Sequence, residues 1–381
     1  MGARLSDDSR ILVVKLADVG DTLLATPALR LLRDSYPRAH IAALTAPHSV
    51  AVLHGSALVD EIITFDQHRF DRVSAILRPR ALLAAASELL ALRGARFDAL
   101  LLFHHLITTW GVAKYAALCL ASGAKRRVGL DDGRGWFLTD RVLDPGFGHQ
   151  PEAEYCLSIV RKAGAEGRAG GLELPVERPD RDFAEAALRA IPRPWVAIHP
   201  GSGGFSLARR WPADGFAMVA DVLAREIGAG IVLVGGKEET ALAAEVRALM
   251  SASPLDLTGR TTLGQLAAVL GRCDLLIGND SGVAHVGAAA GTRVVAVFGP
   301  SNHLAWGPYE PGASPCAARH RIVRVNLPCS PCMYRNHSLG LRYGCATRDC
   351  LRLVTPEMVL AQAGQLLDMW PPSVSRRLDR R

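Results

Sequence analysis

The sequence is poor in aromatic residues and contains no long apolar run. Aromatic side chains account for 6% of its 381 residues. Glu88 interrupts the Leu/Ala segment that begins at Leu82, and Lys114 interrupts the segment before Leu120, so no stretch reaches the roughly 18 apolar residues of a membrane-spanning helix. The N-terminal segment MGARLSDDSR lacks the apolar core of a secretory signal, and we therefore expect a cytoplasmic protein.

Two nucleotide-binding signatures are also missing. No GxGxxG pattern follows the first apolar run, ILVVKL at residues 11–16, and the chain has no GKS or GKT P-loop. The first of these absences disfavours a nicotinamide-dependent enzyme. Short-period repeats and low-complexity tracts are absent as well, so the composition is that of a globular protein.

The composition that is present indicates an α/β protein of two domains. Hydrophobic residues make up 49% of the chain and charged residues 21%, with a net charge of +7. A chain of this length is too long for one compact core. Basic residues gather at 69–80, 125–127 and 376–381. They indicate either an anionic partner, which we do not expect to be a nucleic acid, or an Arg-rich solvated surface.

A pattern of short apolar runs and amphipathic segments occurs twice along the chain. The first series begins with the predicted strand ILVVKL and continues with a predicted helix over LLATPALRLLRDSY. The second begins with WVAIHPG at residues 195–201 and includes the predicted strand CDLLIGND. Alternating strands and helices of this kind predict a parallel sheet in each half. A Gly-, Pro- and charge-rich stretch within 165–192 marks the linker. We therefore predict one lobe over residues 1–175 and a second over 176–381.

Ligands of such sheets bind beyond the carboxyl ends of the strands. Three turns at such positions are candidates for a binding or catalytic site. In KLADVGD, at residues 15–21, Asp21 is either a helix cap or a general base that faces a cleft. In HPGSGG and ARRWP, at residues 199–204 and 208–212, glycines and guanidinium groups suit a diphosphate. In IGNDSGVAHVG, at residues 277–287, a helix N-terminus can bind phosphate, and His285 is either packed or a ligand contact.

These segments, taken in order, resemble glycosyltransferase family 9, the ADP-heptose:lipopolysaccharide heptosyltransferases. The similarity rests on VKLADVGDTLLATPALRLLR, IHPGSGG with RRWP, LVGGKEE, the stretch from LTGRTTLGQ to VFGPSN, and WGPY. The resemblance implies a GT-B architecture, with two Rossmann-like lobes, parallel sheets and an interlobe cleft. It places the acceptor on the first lobe and the nucleotide sugar on the second. The last helix, near residues 356–370, is expected to cross back to the first lobe.

The resemblance also implies roles for particular residues. Asp21 falls on the catalytic carboxylate of the family. The donor-binding positions fall on Ser202, Arg209, Glu238 or Glu239, Asp280, Ser281, Gly282 and His285, with Glu238 or Glu239 near the ribose of the adenosine. Arg209 stands where the family usually has lysine, so the geometry of phosphate contact is expected to differ.

The implied reaction is an inverting transfer of heptose from ADP-heptose to the inner core of lipopolysaccharide. Asp21 would take the proton of the acceptor hydroxyl, while Arg209 and the helix at Ser281 would stabilise the departing diphosphate. No cofactor is then required for catalysis. Acceptor phosphates or carboxylates could contact Arg69, Arg72 and Arg126. A lipid-linked oligosaccharide acceptor would make peripheral association with the inner face of the inner membrane natural.

Four of the eight cysteines fall in CSPCMYRNHSLGLRYGCATRDC: Cys329, Cys332, Cys345 and Cys350. Their spacing resembles a tetrathiolate clip for structural Zn or Fe, although we favour free or packed thiols in a cytoplasmic protein. An iron site of four cysteines is associated with the related autotransporter heptosyltransferases. A loaded site would therefore favour an acceptor that is a protein or another surface glycan. A catalytically silent nucleotide-sugar-binding protein is a third hypothesis.

Overall fold

The computed structural model describes residues 4–66, 79–312 and 319–367. Their contacts divide the chain into two units. The first comprises residues 1–146 and 152–171, and the second comprises residues 147–151 and 172–381. The main division therefore falls close to the boundary predicted between residues 175 and 176.

The first unit contains a six-stranded parallel sheet of order β3-β2-β1-β4-β5-β6. Its strands are β1 (Arg10–Lys15), β2 (His40–Thr45), β3 (Glu61–Thr64), β4 (Ala99–Leu102), β5 (Arg126–Asp131) and β6 (Asp140–Leu143). Its helices are α1 (Val19–Leu23), α2 (Thr26–Ser35), α3 (Val50–Leu53), α4 (Pro79–Gly94), α5 (Thr109–Ala121) and α6 (Glu152–Lys162).

The second unit contains another six-stranded parallel sheet, of order β12-β11-β10-β7-β8-β9. Its strands are β7 (Trp195–His199), β8 (Gly230–Leu233), β9 (Leu255–Asp256), β10 (Leu275–Asn279), β11 (Val294–Val297) and β12 (His320–Val323). Its helices are α7 (Arg178–Leu188), α8 (Ala213–Ile227), α9 (Thr240–Leu249), α10 (Leu263–Leu270), α11 (Gly282–Ala289), α12 (His303–Trp306), α13 (Asp349–Arg352) and α14 (Pro356–Leu366).

Each sheet has the strand order of a Rossmann fold. The order reverses between β1 and β4 in the first unit and between β7 and β10 in the second. The central strands are buried along almost their whole length, as expected for a parallel sheet that helices cover on both faces. Polar residues that follow these four strands therefore lie at the two positions where such sheets bind ligands.

The predicted elements are largely confirmed, and the exceptions have local causes. Strands β5, β6 and β12 were not predicted from the sequence; β5 and β6 carry charged and half-exposed residues in place of an apolar run. The helix predicted over LLATPALRLLRDSY is interrupted at Leu24 and Ala25, which separate α1 from α2. Proline at the second position of α2 is compatible with a helix start there.

The last described helix, α14, begins with a conventional cap and packs within its own unit. Thr355 accepts a hydrogen bond from the Met358 N–H, and Pro356 is the first helical residue. The helix contacts α8 and strands β10, β11 and β12. Its predicted crossing to the first lobe stays a prediction, because residues 368–381 lie outside the described part of the chain. None of the described helices is long and apolar enough to cross a membrane.

Phe216 is a sensitive test of the core of the second unit. Its side chain is fully buried in α8 and contacts the Trp211 ring edge-on at 4.9 Å between centroids. We expect Phe216→Ala to lower the free energy of unfolding by about 3–5 kcal/mol, because it leaves a cavity. Met218→Ala in the same helix is the control, since Met218 is 51% exposed. Denaturant unfolding that shows equal losses for both variants would contradict this packing.

Candidate functional site

The carboxyl ends of β7, β8 and β10 form what we call the second-sheet edge. β7 ends at His199, β8 ends at Leu233, and β10 ends at Asn279, directly before Asp280 and Ser281. Because β7 and β10 are neighbours at the point where the strand order reverses, the connections that follow them share one ligand-binding position.

Asn279 fixes the long connection after β7. Its amide nitrogen donates to the carbonyl oxygens of Pro200 and Gly201, at 2.7 and 3.1 Å. Its amide oxygen accepts from the backbone N–H of Trp211 at 2.9 Å. The side chain is fully buried, so these bonds cannot be exchanged freely for bonds to water. Both ends of the loop that carries Arg209 are therefore held against β10.

A buried hydrogen-bonded chain links three of the connections at the second-sheet edge. The Glu239 carboxylate lies 3.0 Å from His199 Nε2, and His199 Nδ1 lies 3.1 Å from Ser281 Oγ. The backbone N–H groups of Gly203 and Gly236 also donate to Glu239, each at 2.9 Å. Glu239 and His199 are almost completely buried. The chain therefore joins the connections after β7, β8 and β10.

The surroundings of Glu239 keep it ionised. Burial by itself raises the pKa of this carboxyl, but the hydrogen bond and charge of His199 and the two backbone N–H groups outweigh burial and lower the pKa to about 2.

Glycine at residue 201 is required for this arrangement. A Cβ atom there would lie 1.9 Å from a Glu239 carboxylate oxygen.

Three residues predicted to bind the nucleotide-sugar donor meet beside the hydrogen-bonded series of Glu239, His199 and Ser281. Arg209 Nη1 donates to Asp280 Oδ2 at 3.2 Å, and Nη2 donates to the Ser202 carbonyl oxygen at 2.9 Å. The side chain of Arg209 is 15% exposed and that of Asp280 is 5% exposed. The guanidinium group is thus held at the second-sheet edge by a carboxylate and a carbonyl, close to the start of α11.

The start of α11 contains the remaining donor positions predicted on this helix. Ser281 is the N-cap in extended conformation, and Gly282 is the first helical residue. Unsatisfied N–H groups and the positive end of the helix dipole favour an anion at such a terminus. His285 lies one turn further and is 3% exposed, a position expected of a packed histidine.

The structure distinguishes the two glutamates that the sequence could not separate. Glu238 is exposed on the turn Lys237–Glu239, whereas Glu239 is buried. Glu239 is buried and already accepts hydrogen bonds from His199 and two backbone N–H groups, so the exposed Glu238 is better placed to contact a ribose. Of the two, only Glu238 remains a candidate for that contact.

Asp21 lies at the carboxyl end of the neighbouring pair β1 and β4, which we call the first-sheet edge. It is half-buried in the first turn of α1, while Asp18 occupies the N-cap. Asp21 therefore does not occupy the cap position, and the Asp18 side chain at that position makes no capping hydrogen bond. The general-base hypothesis is compatible with this position at the switch point of the first sheet.

A buried lysine contributes positive charge near Asp21. Lys15 is the last residue of β1, and its Nζ donates to the Phe103 carbonyl oxygen at 3.3 Å. Burial lowers the pKa of Lys15, but the electrostatic effects of Cys156, Asp21 and Glu152 raise it, and the net direction is upward. Burial raises the pKa of Cys156 to about 12, so this thiol is neutral near pH 7. The two carboxylates therefore keep Lys15 charged.

His105 is held between two carboxylates in the same unit. Its Nδ1 lies 2.7 Å from Asp144, and its Nε2 lies 3.1 Å from Glu152. All three side chains are less than a tenth exposed. Burial lowers the pKa of His105, but the charges and hydrogen bonds of Glu152 and Asp144 outweigh it and raise the pKa to about 9. The group is therefore a buried imidazolium at neutral pH.

Arg126 lies at the opposite edge of the first sheet from Asp21. It begins β5, where its guanidinium group contacts Asp140 at 3.2 Å and donates to the carbonyl oxygens of Lys162 and Ala163. These contacts give Arg126 a structural role, and we do not retain it as an acceptor contact. Arg69 and Arg72 lie outside the described residues.

The four clustered cysteines do not form a metal site as they are placed. Cys329, Cys332 and Cys345 are exposed, and Cys350 is buried. Among the described residues, no three or more His, Cys, Asp or Glu side chains are arranged to hold a metal ion. A structural Zn or Fe at this segment stays a prediction, and we derive no catalytic step from it.

Several residues of these edges were not assigned from the sequence. His199 and Asn279 stood inside the quoted motifs, and each is the polar residue that ends a buried strand, a signal that could have identified them. Lys15 has the same position in β1. Glu152 gave no local signal, because its partner His105 is distant in sequence.

Comparison with known proteins places this arrangement in a family. The sequence profile of glycosyltransferase family 9 (heptosyltransferase) matches residues 90–342. A lipooligosaccharide heptosyltransferase 2 of Campylobacter jejuni is 31% identical over 176 residues, which are 45% of this chain and 50% of that protein. The lipopolysaccharide core heptosyltransferase OpsX of Haemophilus influenzae is 23% identical over 305 residues, which are 78% of this chain and 81% of that protein.

Solved structures agree with the profile. An ADP-heptose lipopolysaccharide heptosyltransferase II of Escherichia coli has a TM-score of 0.68 at 22% identity, covering 94% of this chain and 99% of that chain. The fold class is therefore that of GT-B glycosyltransferases, with two Rossmann-like lobes, as predicted. The chain belongs to glycosyltransferase family 9. It spans about half the length of the C. jejuni relative.

The buried His105 cluster predicts a dependence of stability on pH. Folding raises the pKa of His105 from 6.5 to about 9, so the stabilisation is complete below pH 6.5 and is lost as the pH rises through 9. We expect the free energy of unfolding to fall by about 3 kcal/mol over this window. Denaturant unfolding of His105→Gln should lack this decrease. The same decrease in the variant would show that another group causes it.

The cysteine segment predicts an order of thiol reactivity. The backbone N–H of Arg348 and the hydroxyl of Thr347 lower the pKa of Cys345, whereas burial raises the pKa of Cys350 to about 11. Because the thiolate is the reactive form, we expect alkylation at Cys345 first and at Cys350 last. Mass spectrometry of alkylated peptides measures the order, with buried Cys156 as the slow control. Equal protection of all four cysteines, with one Zn or Fe per chain, would instead show a metal site.

Proposed function

We propose that this protein is an inverting glycosyltransferase that moves a heptose from ADP-heptose to the inner core of lipopolysaccharide. The observation that carries the proposal is the meeting of Arg209, Asp280 and the N-terminus of α11 at the switch point of the second sheet. This arrangement suits a diphosphate. The heptosyltransferase names of the family and of the similar proteins support the sugar and the acceptor class.

The proposed reaction transfers one proton and exchanges one bond at the sugar. An acceptor hydroxyl held by the first unit loses its proton to the Asp21 carboxylate as its oxygen attacks the anomeric carbon. The bond from that carbon to the phosphate oxygen breaks, and ADP leaves with the electron pair. Because attack and departure occur on opposite faces, the configuration inverts. Lys15, the last residue of β1, holds positive charge near Asp21.

The second unit would stabilise the leaving group. Negative charge grows on the diphosphate as the bond breaks, and fixed positive charge near it lowers the barrier. Arg209 is held in place by Asp280 and Ser202, so little reorganisation is needed when the donor binds. The dipole of α11 adds to this field. We propose that these groups suffice and that catalysis requires no cofactor.

We propose a lipid-linked oligosaccharide as the acceptor, with Arg69 and Arg72 as candidate contacts for its anionic groups. Such an acceptor suits a cytoplasmic protein that associates peripherally with the inner face of the inner membrane. The names of the similar proteins support lipopolysaccharide or lipooligosaccharide as the acceptor class.

The test is release of ADP from ADP-heptose in the presence of a panel of truncated lipopolysaccharide acceptors. We expect Asp21→Asn to lower turnover by about 10²- to 10⁴-fold, the usual contribution of a general base, while donor affinity is retained. Arg209→Ala should weaken both donor binding and turnover. Asp34→Asn is the control, because Asp34 is an exposed carboxylate of α2 in the same unit as Asp21.

The outcomes separate the hypotheses. ADP release that requires both acceptor and Asp21 supports the transferase. Donor binding without release from any acceptor favours a protein or other surface glycan as acceptor, or a catalytically silent binding protein. Absence of ADP-heptose binding contradicts the donor assignment.

A further inference from the structure

Ser281 occupies a helix N-cap position without acting as a cap. Serine at this position usually accepts a hydrogen bond from a backbone N–H in the first turn of its own helix. The Ser281 side chain makes no such bond, and its Oγ lies 3.1 Å from His199 Nδ1. The hydroxyl is thus directed toward a buried imidazole, and the first N–H groups of α11 are not used by it.

The other side of His199 fixes one of its protons. Glu239 is ionised, and an ionised carboxylate accepts hydrogen bonds but cannot donate them. His199 Nε2, at 3.0 Å, must therefore carry the proton of that bond. His199 Nδ1 has two options: it accepts from the Ser281 hydroxyl, or it is protonated and donates to Ser281 Oγ.

We propose that Glu239, His199 and Ser281 form a proton-coupled relay behind the diphosphate site, in which donor binding makes His199 take up a proton at Nδ1. The Nδ1–H then donates to Ser281 Oγ, and the Ser281 O–H turns to a phosphate oxygen. The proton comes from solvent, and no bond between heavy atoms forms or breaks. This inference rests on the proposed function, since it takes the diphosphate of a nucleotide sugar as the ligand.

The burial of the relay gives this coupling its strength. A nucleotide-sugar diphosphate carries two negative charges, and nearby negative charge favours the cationic form of an imidazole. The side chains of His199 and Glu239 are 2% and 4% exposed, so solvent and salt screen the interaction weakly. With Glu239 on one side and the diphosphate on the other, an imidazolium at His199 would lie between two anions.

The other charged or titratable groups near the relay lie on the connections around it. Arg209 and Asp280 form an ion pair at 3.2 Å. Arg210, whose Nε donates to Ser202 Oγ at 3.3 Å, lies on the connection after β7; Lys237 and Glu238 lie on the turn that contains Glu239, and His285 lies on α11. A variant of Glu239 is therefore needed to assign a proton to His199.

Each member of the relay has a distinct role. Ser281 would contact the ligand directly. Glu239 and His199 would be positioning residues that act through Ser281, and the His199 imidazolium would also place positive charge behind the leaving group. This role differs from the ribose contact that the sequence motif suggested for Glu239.

The test is calorimetric titration of the full chain with ADP-heptose and with ADP-glucose at pH 8, in two buffers of different ionisation enthalpy. Neither probe titrates near this pH, so a buffer-dependent heat reports proton uptake by the protein. We expect uptake of up to one proton per site for the wild type and an affinity that falls from pH 7 to pH 9. Glu239→Gln, which keeps the shape of the side chain, should bind more weakly and lose the uptake.

Two further variants keep the result interpretable. Glu245→Gln is the matched control, because Glu245 is exposed on α9, the helix that follows Glu239, and it should behave as the wild type. Ser281→Ala should weaken binding by roughly 10- to 100-fold, the usual effect of losing a hydrogen bond to a charged group. Because Ser281 does not cap its helix, this variant should fold normally.

Binding without proton uptake in the wild type would overturn the relay. Equal uptake in Glu239→Gln, or unchanged affinity in Ser281→Ala, would overturn it as well. In these cases the proposed donor stands, since binding is observed. Failure of the wild type to bind either probe would contradict the proposed function and remove the ligand on which the relay depends.

Discussion

The second-sheet edge depends on one buried carboxylate. Glu239 accepts hydrogen bonds from His199, Gly203 and Gly236, and so joins the connections after β7 and β8; through His199 and Ser281 it reaches the connection after β10. A buried charge is costly unless its partners compensate for it. Here the hydrogen bonds from His199 and from the two backbone N–H groups offset the free-energy cost of burying the Glu239 carboxylate. Loss of this carboxylate would therefore loosen all three connections together.

The first unit also has buried charged residues with compensating partners at the carboxyl ends of its central strands. Lys15, Glu152 and His105 place alternating charges at the carboxyl end of β1 and β4, and Asp21 lies at the half-exposed end of this series. In both units, buried charged groups pair with one another. The series ends in a polar group nearer the ligand-binding position, which is Asp21 in the first unit and Ser281 in the second. The switch point of a Rossmann-like sheet favours this arrangement, because two strand ends bring polar residues together from distant parts of the chain.

The sequence predicted the fold more fully than it predicted the hydrogen-bond partners at the candidate site. Apolar runs such as ILVVKL and CDLLIGND identify strands because buried parallel strands need nothing but apolar residues. The charged strand RRVGLD has no such signal. The roles of Arg126 and Glu239 depend on partners far along the chain, so local patterns gave Arg126 an acceptor role and could not separate Glu238 from Glu239. Local patterns in a single sequence do not show which distant residues become hydrogen-bond partners in the folded protein.

The most direct test of the account is the stereochemistry of the product. Incubation of the protein with ADP-heptose and a lipopolysaccharide inner-core acceptor, followed by proton NMR of the purified product, reports the configuration of the new glycosidic bond. Direct attack assisted by Asp21 predicts an anomeric configuration opposite to that of the donor. A product that retains the configuration of the donor would contradict the account, because retention requires a second displacement or attack on the face that the diphosphate leaves.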